Sequence, residues 1–203
     1  MVYQIQQKDI PQAGLTLSDA FHEDVIWKLF YKEGTTVEQK ASFFSMPAKY
    51  CLKYGGVIAS SPKVEGAGGW VPGEYADMSF VRMLGLGMMS SGRTMFRHAT
   101  PLMRKQSQIF KPLHAARKEA MKDRDFLYLM ILGVQRKFHG QGYGSSIVKA
   151  LIKKSEQERL PIYLETETES NVRFYEHLGF SVITEVMMPV IDLPQWTMIR
   201  EIE

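Results

Sequence analysis

Between an apolar run, Phe126 to Val134, and an amphipathic run, Ser145 to Arg159, the chain reads His139-Gly140-Gln141-Gly142-Tyr143-Gly144-Ser145. That order spells strand, glycine turn, helix. Such a turn brings the backbone close to a bound group while the first N–H groups of the helix point at it. Glycine is the residue that reaches the necessary dihedrals at little cost. The segment therefore predicts a site for a phosphorylated small molecule.

Three glycine-turn chemistries are compatible with a phosphate at this place. A nucleotide-triphosphate loop needs Gly-Lys-Ser/Thr at its end, so that the lysine meets the terminal phosphates. Here Gly144 is followed by Ser145-Ser146-Ile147, without the lysine. A dinucleotide turn wants Gly-x-Gly-x-x-Gly; Gly140 and Gly142 supply two positions, Ser145 occupies the third, and Glu165 imitates the ribose-binding acid. The remaining chemistry is the pyrophosphate loop of acetyl-CoA-dependent acyltransferases.

Downstream stands a second motif, Asn171-Val172-Arg173-Phe174-Tyr175-Glu176-His177-Leu178-Gly179-Phe180. Together the two segments resemble the GNAT superfamily of N-acetyltransferases, with its Gln/Arg-x-x-Gly-x-Gly/Ala loop and its Asn-x-x-x-Tyr-x-x-x-Gly-Phe helix. His139 departs from the first loop position. Tyr163-Leu164-Glu165-Thr166 and Gln195-Trp196-Thr197-Met198 resemble the puromycin N-acetyltransferase-like branch. The likeness runs over Leu127 to Arg200, and over the first half only in the order of elements and in Gly68-Gly69-Trp70-Val71-Pro72.

The resemblance implies an α/β (α+β) fold, with a central mixed, mostly antiparallel sheet flanked by helices. A helical insertion over about 76–122 precedes the loop-bearing strand, within one domain over 1–203. The spacing of apolar residues predicts strands at Val2–Ile5, Gly56–Ser60, Gly66–Val71, Phe126–Val134, Ile162–Thr166, Phe180–Val186 and Gln195–Arg200. It predicts helices at Leu15–Phe21, Asp24–Tyr31, Thr36–Tyr54, Ser145–Arg159 and Asn171–Leu178, with Gly179 as the last one's C-cap. Pro47 should kink or divide the third of these segments, and Pro101 and Pro112 should divide the insertion, where Phe80, Met83, Leu84, Met88, Met89, Leu102, Ile109 and Leu113 suggest helix.

The activity implied is transfer of an acetyl group from acetyl-CoA to a primary amine of a small molecule, by direct attack in a ternary complex. A non-catalytic acyl-CoA-binding or nucleic-acid-associated module with the same fold is the alternative. The resemblance places cofactor contacts at Leu132, Gly133, Val134, His139, Gly140, Gln141, Gly142, Tyr143, Gly144, Ser145, Asn171 and Phe174, with Ile131 beside them. The loop-bearing strand is expected to splay from its neighbour, and Gly133 to mark a bulge or a close backbone approach. Tyr175 corresponds to the general acid that protonates the departing thiolate. Asn171 is a cofactor contact, a helix cap, or both.

An attacking amine must be uncharged, whereas a free alkylamine titrates near ~10, so its proton needs an acceptor. The strand Phe126 to Val134 carries no carboxylate. Glu165 and Glu167 alternate toward one face and are the candidates, with a water chain as the other route. His177 reads as an outer-face residue and Cys51 as helix packing. Phe21, His22, Trp27, Phe30 and Tyr31 are candidates for an acceptor wall, although aromatic helices also pack into cores.

Composition bounds the rest. A length of 203 residues, 45% hydrophobic and 23% charged, suits one globular domain. One cysteine permits neither an internal disulfide nor a cysteine-based zinc cage, and no metal is expected. No apolar run approaches the ~20 residues that span a bilayer, and the N-terminus lacks a signal-peptide pattern, so a cytoplasmic location without membrane attachment is expected. A net charge of +3 does not call for nucleic acid. From Arg93 to Lys122 eight Lys/Arg residues face one acid, which reads as a solvated helical face, or as attraction for the CoA 3′-phosphate or an acidic partner. A homodimer is left open.

Overall fold

The computed structural model describes residues 2–84, 86 and 97–202, with Phe80 and Leu84 described by their backbone. The expectations at Met88, Met89 and Arg93 lie outside the described residues. The described strands are β1 (Tyr3–Gln4), β2 (Gly56–Ala59), β3 (Gly66–Pro72), β4 (Leu127–Val134), β5 (Ile162–Thr166), β6 (Ser181–Met188) and β7 (Leu193–Arg200). The α-helices lying wholly within the described residues are α1 (Ile10–Ala20), α2 (Val25–Phe30), α3 (Val37–Tyr54), α4 (Phe80–Leu84), α5 (Gln106–Met121), α6 (Tyr143–Glu158) and α7 (Glu169–Glu176).

One sheet runs in the order β1-β2-β3-β4-β5-β7-β6. Every neighbouring pair is antiparallel except β4 and β5. A parallel pair needs a long crossover, and α6 supplies it. A doubly wound parallel sheet, which a dinucleotide fold requires, is thereby excluded.

Each face of the sheet is covered by helices whose apolar stripe fits it. On one side Leu17 of α1 and Phe44, Ala48 and Cys51 of α3 pack with Val57, Ala67 and Val71. On the other, Val148 and Leu151 of α6 and Tyr175 of α7 pack with Leu127, Leu129, Ile162, Leu164 and Met198. The insertion contributes α5, which lies against β6 and β7. Its Ile109 and Leu113 meet Ile26 and Phe30 of α2 and Met188 of β6.

Pro47 and Pro112 do not divide their segments, which corrects that part of the expectation. α3 continues through Pro47 and α5 through Pro112. A proline inside a helix forfeits one hydrogen bond and costs about 3 kcal/mol, which burial of the flanking residues offsets. Pro47 sits among the buried residues Phe44, Ala48 and Cys51, and Pro112 precedes buried Leu113. Pro101 instead opens a 3-10 turn, Pro101–Lys105, where its missing N–H is harmless. Capping set the start of α3: Thr36 accepts from the Gln39 N–H and Gln39 accepts from the Thr36 N–H.

Candidate active site

The glycine turn is held by its own ends. Gly140 (φ +76°) and Gly142 (φ +79°) occupy the left-handed region, which explains glycine there. A Cβ at either would meet open space, so the turn presents bare backbone outward. Gly144 differs, because a Cβ there would make ordinary contacts and its φ is not positive. The helix begins at Tyr143, two residues earlier than periodicity suggested, and Gly142 caps it without a side-chain acceptor. Its first N–H groups therefore lack an intrahelical or capping partner, the arrangement that suits an anion. The His139 ring folds back, Nε2 lying 2.9 Å from the Val134 carbonyl, and ties the loop to the end of β4.

Beyond the turn, β4 and β5 part. Only Leu127 and Tyr128 pair with β5, opposite Ile162 and Tyr163, while β4 runs on to Val134. On its other edge β4 stays paired to β3, Val134 opposite Gly66 and Leu132 opposite Gly68. A slot with one unpaired strand edge results, bounded by Ile131, Leu132, Gly133 and Val134. The irregularity in β4 falls at Met130, the extra residue between the Leu129–Trp70 and Ile131–Gly69 pairs, and not at Gly133 as expected. Gly133 marks the close approach of α1 instead: a Cβ would lie 2.7 Å from the Ala20 Cβ.

The second motif comes up against the first. Phe174 of α7 reaches the turn, its Cζ 3.6 Å from where a Gly144 Cβ would stand, and its ring packs edge-on against Tyr175 at 5.0 Å. Tyr175 is 8% exposed within the core beneath α6 and α7. Burial and the Glu167 carboxyl push its phenol well up, so it stays protonated. α7 is capped by Thr168, whose hydroxyl accepts the Asn171 N–H at 3.2 Å. Asn171 is thus the third residue of the helix and exposed, not its cap. Gly179 (φ +84°) follows the helix in the expected left-handed turn, and His177 is exposed.

The two carboxylates of the neighbouring strand have different surroundings. Glu165 Oε1 accepts from Arg117 Nη1 at 2.9 Å, with the side chains 8% and 7% exposed. Arg117 also holds Asp77 and stacks over the Tyr128 ring, 4.7 Å from its centroid. Burial raises the Glu165 carboxyl above its usual range despite the opposing Arg117 charge. Glu167 lies at the exit of β5 beside Asp24, the residue that caps α2 by accepting the Trp27 N–H. Burial, then the Asp24 carboxyl, push Glu167 well above the ordinary glutamate range. The sequence reading missed Arg117. Its signal was present, since Arg117 falls in register with the buried Ile109, Leu113 and Met121.

Residues 108–180, which span the turn, the slot and α7, match the model of the acetyltransferase (GNAT) family. The chain carries a GNAT domain over those residues. An uncharacterized N-acetyltransferase of Schizosaccharomyces pombe is 28% identical over 184 residues, covering 87% of this chain and 72% of its own. Among solved structures, the histone acetyltransferase HPA2 and related acetyltransferase from Corynebacterium glutamicum superposes with a TM-score of 0.67 at 16% identity, covering all of this chain and 96% of that one. The polyamine N-acetyltransferase of Drosophila melanogaster gives a TM-score of 0.59 at 11% identity, covering all of this chain and 99% of that one. At such identities the two structures speak for the fold.

With that domain, the protein is an acetyl-CoA-dependent N-acetyltransferase. The open turn and the unpaired strand edge fit that donor: a diphosphate meets free N–H groups, and a linear amide-bearing arm meets main-chain partners. Among the described residues no group of His, Cys, Asp and Glu is arranged to hold a metal ion. No described helix is long and apolar enough to cross a membrane. The aromatic residues proposed for the acceptor wall divide: Phe21 stacks on Phe44, Trp27 packs on Phe30 and Phe44, and Phe30 is fully buried, so these three build the core. His22 and Tyr31 line a cavity.

Proposed function

We propose that this acetyltransferase acts on the primary amine of a small molecule, by direct attack, within a single domain over residues 1–203. The observation that carries the reading is the cover over the acceptor face. α5 lies across β6 and β7 and meets α2 through Ile109, Leu113, Ile26 and Phe30, so the face bearing Glu165 and Glu167 is roofed. An extended protein tail needs a groove open along its length, which such a roof interrupts; a compact amine needs only a cavity.

In this reading the donor supplies the acetyl group as a thioester, and the chain supplies position and protons. The N–H groups of Gly140 to Ser145, with Gln141 and His139 shaping the turn, hold the diphosphate. The open edge of Leu132 to Val134 holds the arm, and Phe174 and Asn171 close the side of the slot. Glu167 accepts the proton of the amine: burial and the neighbouring Asp24 carboxyl raise its carboxyl, which makes it a stronger base than an ordinary glutamate. Glu165 supports this arrangement from its ion pair with Arg117. As the N–C bond forms and the C–S bond breaks, the Tyr175 hydroxyl gives its proton to the departing sulfur. Support for direct transfer comes from Cys51, which is fully buried beside Met130 with its thiol pushed far up by burial, and so is no candidate for an acyl-enzyme nucleophile.

The test is thiol release from acetyl-CoA across small primary amines and across peptides offering N-terminal or lysine amines. Turnover on small amines alone is expected. Turnover confined to peptides would overturn the reading.

A further inference from the structure

Gln135 and a 3-10 turn, Arg136–Phe138, join the end of β4 to the glycine turn. The first residue of that 3-10 turn is gripped by one carboxylate of α1. Asp19 Oδ2 accepts from the Arg136 backbone N–H at 2.8 Å, and Oδ1 accepts from Nε at 3.2 Å and from Nη2 at 3.0 Å. Arg136 Nη1 also reaches Glu23 Oε1 at 3.5 Å. Gln135 is fastened beside it. Its Nε2 donates to Thr16 Oγ1 of α1 at 3.0 Å and to the Val64 carbonyl at 3.2 Å, and its N–H donates to the Glu65 carbonyl at 2.8 Å.

Helix stability does not explain an acid at position 19. Asp19 falls in the last turn of α1, where the helix dipole disfavours negative charge, and aspartate is a poorer helix former than alanine. Global stability does not explain it either. The two side chains are 24% and 43% exposed, and ion pairs that share their charges with water are weak. What the contact supplies is geometry, because a guanidinium fork on a carboxylate, with a main-chain bond added, fixes one orientation of the chain. At the far end of the 3-10 turn, His139 Nε2 lies 2.9 Å from the Val134 carbonyl. Gly140 and Gly142 bear no side chain and have open space where a Cβ would stand, so the anchors on either side of Lys137 and Phe138 set how the glycine turn leaves the sheet.

We propose that Asp19 and Arg136 are positioning residues for the coenzyme, their clamp holding the glycine turn ready for the diphosphate before it arrives. A segment that must be ordered on binding uses up part of the interaction free energy, and one ordered in advance does not. Both residues act through the N–H groups of Gly140 to Ser145. The inference rests on the reading that this turn holds the diphosphate.

Asp19→Asn tests it, since it keeps the side-chain shape, removes the charge and turns an N–H donor toward the guanidinium. Calorimetry with CoA should show a dissociation constant about tenfold above wild type, as for a turn that is competent about a tenth of the time. The KM for acetyl-CoA should rise by a similar factor while kcat stays within about twofold of wild type. In the coenzyme-free protein the N–H groups of Phe138 and His139, bonded to the Gln135 and Arg136 carbonyls, should exchange faster with deuterated solvent. The melting temperature should fall by no more than about 3 °C. Asp19→Ala suits α1 by propensity and dipole alike, so it should behave in the same way and serves if Asp19→Asn fails to fold. Arg136→Lys keeps the charge and the main-chain bond but loses the fork, and the dissociation constant should rise by about threefold. Wild-type CoA affinity in both Asp19 variants, or weaker affinity without faster exchange, overturns the clamp. Gly142→Ala separates the two levels. Wild-type affinity in that variant removes the turn from coenzyme binding, and the clamp's role with it, whereas weakened binding there beside wild-type binding in the Asp19 variants rejects the clamp alone.

Discussion

Arg117 Nη1 lies 2.9 Å from Glu165 Oε1, joining the inserted helix α5 to strand β5 across 48 residues of chain. Both side chains are nearly excluded from solvent, and the same guanidinium holds Asp77. Removing one member of a buried pair leaves the other charge stranded, at a typical cost of about 3–5 kcal/mol. Arg117→Met should therefore lower stability by about that amount in urea denaturation. Adding Glu165→Leu should recover most of the loss. A single variant that costs less than about 1 kcal/mol would show that the pair behaves as an exposed one.

Glu167→Gln tests the base by two independent routes. The carboxyl is raised in the folded protein relative to its ordinary value of 4.5, so the folded state binds more protons than the unfolded state between those limits. The stabilisation is complete below the unfolded value and is lost as pH rises through the folded one. Glutamine removes that loss, so the variant should melt higher than wild type at about pH 8 and gain nothing at about pH 4. Turnover should fall by about 10²-fold, and the limb that rises with pH should disappear from the rate profile. A variant less stable than wild type at the higher pH would mean that Glu167 is ionised and favourably paired.

What could be read from the chain alone divides by the range of the forces involved. The turn from Gly140 to Gly142, the helix after it and β5 at Ile162–Thr166 depend on local dihedral preference and short periodicity, and the sequence carries both. The prolines misled because Pro47 and Pro112 are tolerated through burial against distant elements. The Arg117–Glu165 pair and the Asp24–Glu167 encounter each join segments far apart in the chain. The one local trace of the first is a polar residue in an apolar register, Arg117 in line with Ile109 and Leu113. Solvated-face readings of charged helices fail at such positions. The rest of the described basic run behaves as read, with Arg104, Lys105, Lys111 and Lys118 all exposed.

Substitutions in the turn should separate backbone strain from steric approach. Gly142 has φ +79°, so alanine there carries a left-handed penalty of about 1–2 kcal/mol, with open space around its Cβ. Gly142→Ala should lower the melting temperature and, by reshaping the turn, weaken CoA binding in calorimetry. Gly144 has no such strain, and its Cβ would find ordinary contacts with Phe174 and Val134. Gly144→Ala should leave the melting temperature within about 1 °C of wild type. Equal destabilisation by both would sink the conformational account of the turn.

Tyr175 is buried against Phe174 and Phe180, so its ring already has a structural role, and only the hydroxyl distinguishes a catalytic one. Tyr175→Phe keeps the ring and its packing, and stability should change by less than about 1 kcal/mol. If the hydroxyl protonates the departing sulfur, turnover should fall by about 10²-fold while CoA affinity is retained. The nature of the leaving group sharpens the test. A donor whose thiol is a stronger acid needs less protonation, so the defect should shrink with such a thioester. A uniform defect across thioesters, or none, would confine Tyr175 to packing and leave the sulfur to be protonated by solvent.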